Sequence, residues 1–511
     1  MGHMEQAKVQ VKERAPFRRD MLRSALSGTL LGIGFVVPAV WWISFVGLVP
    51  FLWKARDPSR GVFGSFLTGW LIGLVLHCFA LYAIFWHTLP LDWYGLNSQW
   101  IQIAAVGVSW FLASAVLAIG TGLFGLALQW IRRDSAGYIF TIPALWVICE
   151  CISSFIFSIA SAGPGFLIGP HFTLGYLGYL LANDTVLLQA ASFGGIYALS
   201  FIVVVVNTLV YRLLVANSLE RQWLLVTSAI LLSIFVLGHS TFDRFSHDTG
   251  DTYVSIAAVS TYNPPLLHLT TDEERSRFEQ LQSFIKEIST TTEAILLPES
   301  ATFLRGFPER ESSKISALIV DSENIVEADS FIRSYAVFQY SDGRTERSSK
   351  QFLLPLGESL PYLYRAFLSF ATPEFRAQVL RTRAYVSGNE TRFANLSNAS
   401  ISVRFCDEVM SPYLYSSDIS EGAHILANLA SHSWFHGSHL VYQQMQNVAK
   451  VRAVESRRWY IQSGNMVPAF AVDSYGRLVG ETEWGTSQVL SVRAPVLEER
   501  TAYSRLIGWG F

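Results

Sequence analysis

Three side chains in the second half of the sequence have the types and spacing of an acyl-transfer site. Glu299 lies at the end of the apolar run AILLPES, Lys350 precedes QFLLPLGE, and Cys406 follows ISVRF. In such a site the carboxylate takes the thiol proton, the thiolate attacks a carbonyl carbon to form a thioester, and the ammonium stabilises the oxyanion. Each residue alone is a weak signal, because isolated acids and lysines are mostly solvated.

The segments around these residues predict an α/β domain that would position them at strand ends. YVSIAAVS, AILLPES, ISVRF and HILANLA have the apolar, β-branched character of strands. TDEERSRFEQLQSFIKEIS, with Thr271 as its N-cap, and LVYQQMQNVAKVRAVESRRW have the character of helices. Alternation of strands and helices favours a layered α/β fold.

The composition of the chain separates a membrane part from a soluble part. Of the 511 residues, 51% are hydrophobic and only 15% are charged, whereas soluble proteins carry roughly 25% charged residues. Residues 21–240 hold few of the charges, and residues 250–500 have an ordinary soluble mixture. The net charge of −2 gives no reason to expect a nucleic-acid partner. The four cysteines show no disulfide or CxxC metal pattern, so no cofactor is predicted.

The apolar runs predict about seven transmembrane helices. A helical span needs roughly 20 apolar residues, and candidate runs lie at about 22–39, 40–53, 62–86, 101–131, 138–160, 187–211 and 222–240. The first two are short and could form a helical hairpin. We therefore expect an arm at 1–20 that begins with the tag-like MGHM, a bundle at 21–240, a soluble domain at 241–500 and an apolar tail at 501–511. The tail would be a truncated last span or an interfacial anchor.

The distribution of Lys and Arg predicts the orientation of this bundle. The loops at 87–100 and 161–184 contain neither residue type. The positive-inside rule then places the N-terminus in the cytoplasm and the soluble domain on the outer face. The cations that carry this prediction are Lys8, Lys12, Arg14, Arg18, Arg19, Arg23, Lys54, Arg56, Arg60, Arg132, Arg133, Arg212 and Arg221.

The order and spacing of the three candidate residues resemble a known triad. LLPES, KQFLLPLGE and CDE follow one another at intervals of about 50 residues, which is similar to the Glu-Lys-Cys triad of the nitrilase superfamily. With seven predicted spans in front, the chain resembles the bacterial apolipoprotein N-acyltransferases, the membrane-embedded branch. PALW with Glu150, SHSWF and KVRAVESRR resemble further segments of that family, so the resemblance covers about 22–505. It implies an α-β-β-α sandwich for the soluble domain.

The resemblance also implies a reaction and a role for each residue. An acyl chain would pass from a phospholipid, through a Cys thioester, to the N-terminal amine of a diacylglyceryl-cysteine lipoprotein in a ping-pong scheme. The protein would be a monomer in the bacterial inner membrane, with its catalytic domain on the periplasmic face. The implied residues are Glu299 as base, Lys350 as oxyanion donor, Cys406 as nucleophile, Glu358 and Glu408 as supporting acids, and Trp434 as a group flanking the substrate.

Two other functions remain open at this point. A membrane-tethered nitrilase-type amidase would use the same three residues but would hydrolyse its acyl-enzyme. A non-catalytic anchor or activator of another membrane enzyme would need no triad. The amidase and the transferase differ in how long the thioester survives in water.

Several positions depart from the pattern of the resembled family. Asp407 stands where an aromatic residue is usual, Ser431 and His432 replace an Asn-Asp pair, and Met445 replaces a histidine. These departures predict a divergent member. His436 and His439 extend the second departure into a histidine cluster, for which a metal site is conceivable but a solvated loop is favoured.

Overall fold

The computed structural model describes residues 2–53, 61–88, 98–131, 137–248, 250–265, 269–306, 315–327, 331–370, 372–382 and 384–507, and the side chains of 2–16, 245, 381 and 382 are not among them. Several predicted features lie outside these described parts. They are the side chains of Lys8, Lys12 and Arg14, the loop cations Lys54, Arg56, Arg60, Arg132 and Arg133, and residues 508–511 of the apolar tail.

The first half of the described chain is helical. Its α-helices are α1 (Gly2–Gly32), α2 (Ser44–Gly47), α3 (Val49–Leu52), α4 (Gly61–Ala80), α5 (Tyr82–Trp86), α6 (Gln99–Ala127), α7 (Tyr138–Ala160), α8 (Thr185–Leu188), α9 (Ala191–Val215) and α10 (Ser218–Phe245). Short 3-10 helices occupy Ile33–Phe35, Pro38–Ile43 and Leu177–Asn183.

Among the described residues, five helices are long and apolar enough to cross a membrane: α4, α6, α7, α9 and α10. The predicted count of seven spans is therefore not confirmed. The runs at 22–39 and 40–53 are not among these five helices, and Pro38–Leu52 is a shorter apolar helical stretch. Residues 33–52 are divided into helical pieces of three to six residues, with Pro38 and Pro50 at or next to the start of two of them. Proline lacks the N–H of a helix interior, so this run does not form one continuous span.

Small residues let α4 and α6 approach closely. A Cβ on Gly73 would lie 1.9 Å from Thr121 Oγ1, and a Cβ on Gly69 would lie 2.3 Å from the Thr121 carbonyl oxygen. Membrane helices without a hydrophobic force between them associate through such close van der Waals contact. These two helices are therefore closely packed.

The second half of the described chain is an α/β domain. Its strands are β1 (Tyr253–Thr261), β2 (Ala294–Leu296), β3 (Leu318–Val326), β4 (Ile332–Gln339), β5 (Thr345–Ser349), β6 (Ala394–Asn395), β7 (Ser400–Phe405), β8 (Ile425–Ser431), β9 (Tyr460–Asn465), β10 (Phe470–Val472), β11 (Leu478–Glu481) and β12 (Gln488–Pro495). Its helices are α11 (Thr271–Ile288), α12 (Tyr362–Leu368), α13 (Pro373–Thr382), α14 (Pro412–Ser420), α15 (His439–Ser456) and α16 (Ala502–Ile507). The N-cap of α11 is Thr270, one residue before the predicted Thr271.

The strands form one hydrogen-bonded network in the order β5-β4-β3-β2-β1-β9-β8-β7-β6, with β10, β11 and β12 joined to it. Strands β2, β1, β9, β8 and β7 pair in parallel. Parallel strands bring their carboxyl ends to the same edge, so residues that follow β2 and β7 share that edge.

Buried side chains divide the α/β domain into layers. Ala257 and Val259 of β1 pack with the apolar face of α11. Ile256 and Ala258 point the other way and share a core with inward residues of β7, β8 and β9. Leu426 and Tyr460, on the opposite face of those strands, belong to a core that includes α15 and the membrane helices. The layer order is therefore α-β-β-α, and the predicted fold class, a helical bundle followed by an α/β domain, is confirmed.

Helix α15 also joins the α/β domain to the bundle. Gln444 Nε2 donates hydrogen bonds to the carbonyl oxygens of Phe35, at 3.1 Å, and Ala80, at 3.3 Å. Glu455 Oε1 accepts a hydrogen bond of 2.6 Å from the N–H of Ile196, where α9 resumes after a kink. These buried contacts hold one face of the α/β domain on the membrane helices.

Candidate active site

Cys406 lies at the turn between β7 and a 3-10 helix, Cys406–Met410. Its φ is 30°, in the left-handed region that non-glycine residues rarely adopt. Its thiol faces the Ser431 carbonyl oxygen at 3.8 Å, and Asn428 Nδ2 donates to the Cys406 carbonyl oxygen at 3.3 Å. Strained backbone of this kind persists where surrounding contacts hold it, often at active sites.

Glu299 follows β2 after only two residues, at the carboxyl end of that strand. The segment that carries it is also bent, because Ser300 and Thr302 have φ values of 65° and 49°. The N–H of Ser300 donates a hydrogen bond of 2.6 Å to Ser322 Oγ on the neighbouring strand β3. The backbone next to Glu299 is therefore anchored to the sheet.

Lys350 follows the last residue of β5 and is only 2% exposed. Its ammonium contacts three carboxyl groups: Glu358 Oε1 and Asp407 Oδ1, each at 2.7 Å, and Glu299 Oε1 at 3.3 Å. The backbone N–H of Lys350 donates to the Ser334 carbonyl oxygen at 2.8 Å. A buried cation of this kind is retained because the anions around it offset the loss of its hydration.

Glu358 and a further acid, Glu408, fix the backbone around this ammonium. Glu358 Oε2 accepts from the N–H of Leu354 at 2.9 Å, so the side chain bridges its own loop and Lys350. Glu408 Oε1 accepts from the N–H groups of Gln351 and Phe352, at 2.7 and 3.1 Å. Because Glu408 also belongs to the turn that begins at Cys406, it joins the segment after Lys350 to that of Cys406.

Trp434 and the three predicted histidines that follow β8 differ from one another in burial and in contacts. Trp434 is 40% exposed, whereas His432 is buried and directly follows Ser431, the residue whose carbonyl faces the thiol. His436 contacts the Thr88 carbonyl oxygen, and His439 stacks on Trp484 at 3.8 Å. Within the described residues there is no group of three or more His, Cys, Asp or Glu that could hold a metal ion.

Burial and charge set the protonation of this cluster. Burial raises the pKa of Glu299 to about 7, and Lys350 partly offsets this increase. Burial also raises the pKa of Asp407 and of the Cys406 thiol. Burial alone would lower the pKa of Lys350, but Asp407, Glu299 and Glu358 together raise it. A raised carboxyl pKa near neutrality is what a general base needs.

The sequence did not predict that Asp407 contacts the Lys350 ammonium. It identified Asp407 only as an unexpected acid beside the nucleophile, whereas the structure has its carboxyl 2.7 Å from Lys350 Nζ. It also missed the Ser431 carbonyl and Asn428, which contact Cys406. The position of Asp407 one residue after a candidate nucleophile was the only signal in the sequence, because contacts across 57 residues leave no local pattern.

Comparison with known proteins covers both halves of the chain. Residues 27–209 match the apolipoprotein N-acyltransferase N-terminal domain. The apolipoprotein N-acyltransferase of Geobacter metallireducens is 24% identical over 512 residues, which cover 96% of this chain and 92% of the relative. That of Aquifex aeolicus is 24% identical over 481 residues, which cover 92% of this chain and 98% of the relative.

Two solved structures resemble about half of the chain. A CN-hydrolase superfamily protein from Xanthomonas campestris has a TM-score of 0.37 and 13% identity, and covers 48% of this chain and 91% of its own. An amidase from Nesterenkonia sp. has a TM-score of 0.36 and 14% identity, and covers 51% and 95%. The chain is thus similar to the apolipoprotein N-acyltransferases both in its N-terminal domain and over nearly its full length.

Proposed function

We propose that this membrane protein is an N-acyltransferase that moves an acyl chain from a phospholipid to the N-terminal amine of a diacylglyceryl-cysteine lipoprotein. The observation that carries the proposal is the buried Lys350 ammonium, which contacts Glu299 and Glu358 and interacts electrostatically with Cys406. A base, a cation and a thiol at one sheet edge are the groups that acyl transfer through a thioester requires.

In the first half-reaction, Glu299 takes the thiol proton as Sγ of Cys406 bonds to the ester carbonyl carbon of the phospholipid. Negative charge develops on the carbonyl oxygen, where the Lys350 ammonium stabilises it. Collapse of this intermediate breaks the carbon–oxygen ester bond and leaves a thioester on Cys406. Glu299 returns its proton to the departing alkoxide, which leaves as the hydroxyl of a lysophospholipid.

In the second half-reaction, the neutral amine nitrogen of the lipoprotein bonds to the thioester carbonyl carbon. Glu299 takes the proton that the nitrogen loses, and Lys350 again stabilises the oxyanion. The carbon–sulfur bond breaks, the amide leaves, and the Cys406 thiolate recovers its proton from Glu299. Conversion of a thioester to an amide is downhill, so this step needs little further driving force.

Both substrates would reach the site from a lipid surface. The segment that follows Glu358 exposes large apolar side chains: Tyr362 is 59% exposed, Leu363 64%, Phe367 65% and Phe370 90%. Such a patch on a domain already held by membrane helices suits contact with acyl chains. Apolar surroundings would also keep water from the thioester.

We place the α/β domain on the periplasmic face of the bacterial inner membrane. Arg18, Arg19 and Arg23 lie on α1, and Arg212 and Arg221 lie at the junction of α9 and α10, which favours a cytoplasmic side for both regions. The chain would cross the membrane an odd number of times with the five long helices, as it would with the seven predicted spans. Residues that follow α10 therefore emerge on the side opposite to the start of α4.

The first test is capture of the acyl-enzyme by intact mass. Purified wild-type protein incubated with phospholipid alone should gain the mass of one acyl chain, and Cys406→Ala should gain none. Cys78→Ala, which changes a cysteine in α4 away from the site, is the matched control and should acylate normally. An acyl adduct of full occupancy on folded Cys406→Ala would show that another residue is the nucleophile.

Addition of an acceptor separates transfer from hydrolysis. A diacylglyceryl-cysteine peptide should discharge the wild-type acyl-enzyme and gain the acyl chain, as read by mass spectrometry. An adduct that disappears in water at the same rate with or without the peptide would indicate the amidase function. If wild-type protein with a reactive Cys406 forms no adduct with any phospholipid, the non-catalytic function is favoured.

A further inference from the structure

Asp407 is an acid beside the nucleophile that the reaction above does not use. It is 7% exposed, and its Oδ1 lies 2.7 Å from Lys350 Nζ. Its other oxygen, Oδ2, is buried and has no hydrogen-bond partner among the described residues. An unpaired buried carboxylate oxygen costs free energy, so this arrangement needs an explanation.

The surroundings of Lys350 Nζ are fully occupied in this structure. An ammonium has three N–H groups, and three carboxyl oxygens lie around it, from Glu358, Asp407 and Glu299, at 2.7, 2.7 and 3.3 Å. An oxyanion formed at Cys406 would be a fourth acceptor. One of the three carboxyl groups must therefore break its contact with Lys350 Nζ before Lys350 can stabilise an oxyanion.

The contacts of the three acids indicate which one gives way. Glu358 is anchored on its other oxygen by the N–H of Leu354 at 2.9 Å. Glu299 must remain beside the thiol to act as the base. Asp407 has no second anchor on its side chain, and it lies on the same turn as Cys406. Asp407 is thus the acid whose release disturbs the site least.

We propose that Asp407 is a positioning residue that occupies Lys350 in the resting site and releases it on taking up a proton from solvent. Protonated Asp407 no longer attracts the ammonium as a charge, so one N–H becomes available to the oxyanion. The proton stays on Asp407 during acylation and is not consumed. This proposal rests on the proposed function, because it concerns the oxyanion of the same acyl transfer.

The groups that face Asp407 agree with a proton-controlled contact. Lys350 favours its ionised form, whereas burial, Glu358 and Glu299 oppose it, and the net effect is a raised pKa. Cys406 and Glu408 are the adjacent residues in the chain, and the Arg404 guanidinium lies 3.9 Å from the Glu408 carboxyl. As pH rises, Asp407 loses its proton and binds Lys350, so oxyanion stabilisation falls.

The experiment must separate this effect from thiol ionisation, because Asp407 also raises the pKa of Cys406. Full-length protein in lipid nanodiscs is acylated with phospholipid and, separately, with a p-nitrophenyl ester, between pH 6 and 9. The same samples are alkylated with iodoacetamide, which reacts with the thiolate without forming an oxyanion. The ratio of the acylation rate to the alkylation rate removes the contribution of the thiolate. Comparison of variants that all retain Glu299 then isolates the contribution of Lys350.

For wild type we expect the ratio of acylation to alkylation to fall about tenfold per pH unit above the pH at which Asp407 loses its proton. Asp407→Asn keeps the shape of the protonated acid, so its ratio should be nearly independent of pH and at least tenfold above wild type at pH 9. Asp473→Asn, a buried acid paired with Arg477 on the β10–β11 hairpin, is the control and should keep the wild-type profile.

Other results would overturn the proposal. It is wrong if Asp407→Asn follows the wild-type pH profile, or if its ratio is reduced at every pH. Asp407→Ala provides a second variant if the amide does not fold. Wild-type protein that accepts the nitrophenyl ester but no phospholipid would contradict the proposed function, while the nitrophenyl ratios would still decide the role of Asp407.

Discussion

Replacement of Glu299 by glutamine tests whether this carboxyl is the base of the acyl transfer. The glutamine oxygen can still accept a hydrogen bond from Lys350, which Glu299 contacts at 3.3 Å, but the amide cannot take a proton. General base catalysis contributes about 10²–10⁴ in rate. We therefore expect acyl-enzyme formation to slow by that factor, equivalent to about 3–5 kcal/mol of transition-state stabilisation.

The pH dependence makes the prediction specific to a base. Burial raises the pKa of Glu299 to about 7, and the group accepts a proton only in its ionised form. Below pH 7 the wild-type rate should therefore fall about tenfold per pH unit, and glutamine should abolish that acidic limb. Because Glu299 interacts with Lys350, Glu358 and Glu408, the limb belongs to the coupled cluster rather than to one residue.

The assay is single-turnover acylation by phospholipid, followed by intact mass between pH 5 and 9. Glu274→Gln makes the same chemical change on an exposed position of α11 and should leave the rate and the profile unchanged. A folded Glu299→Gln protein that acylates within threefold of wild type and keeps the acidic limb would refute the assignment. Equal thermal unfolding of both variants and the wild type would show that the loss is not structural.

Two stability predictions test the contacts that hold the site and the domain in place. Gly195 has φ 63°, and an added Cβ would lie 2.5 Å from the ring of Tyr503, so Gly195→Ala should lower the free energy of unfolding by about 2–4 kcal/mol. Gly61 has φ 64°, and no atom of the described residues lies within 4 Å of an added Cβ, so Gly61→Ala should cost only about 1 kcal/mol. Equal losses for the two variants would contradict the steric argument. Asp418→Ala should lower the free energy of unfolding by about 3–5 kcal/mol, measured by thermal or chemical unfolding, because it leaves Arg404 buried without the acid it contacts at 2.5 Å. A loss below about 1 kcal/mol would show that this ion pair adds little to stability.

The convergence of the candidate residues could be predicted because it depends on a general property of parallel strands. Glu299 and Cys406 each follow a short apolar run, and such runs end at the same edge of a parallel sheet. Lys350 follows β5, an edge strand paired antiparallel to β4, so strand polarity alone did not determine its position. Lys350 was predicted to belong to the site because it precedes an apolar run, and the resemblance to a family triad supported that prediction.

The first two predicted spans are not confirmed, and the backbone gives a physical reason. Hydropathy records only the composition of a segment, and residues 33–52 are as apolar as a span. Their continuity depends on backbone hydrogen bonds, which the prolines at positions 38 and 50 interrupt. The later spans, from α4 to α10, were predicted at about the right positions because long apolar helices leave a strong signal.

Contacts from a side chain to a distant backbone group could not be predicted. Glu408 accepts hydrogen bonds from N–H groups of Gln351 and Phe352, more than 50 residues earlier in the chain. No propensity or periodicity encodes such a pairing, since it depends on how two loops meet after the sheet has formed. The support from Glu358 was expected through resemblance, and its contacts with Lys350 and Leu354 are specific to the three-dimensional structure.

The effect of Asp407, the unusual acid beside the nucleophile, follows from the electrostatics of the buried charges around Lys350. If Glu299, Glu358 and Asp407 were all ionised around one Lys350, the buried cluster would carry two excess negative charges, which a low-dielectric interior opposes. This cost makes Glu299 and Asp407 take up protons more readily than solvated carboxyl groups do, in agreement with their raised pKa values. An aromatic residue in place of Asp407 would remove one of these acids from the site. The replacement therefore need not weaken the reaction; it adds a proton-dependent condition on when Lys350 is free to stabilise the oxyanion.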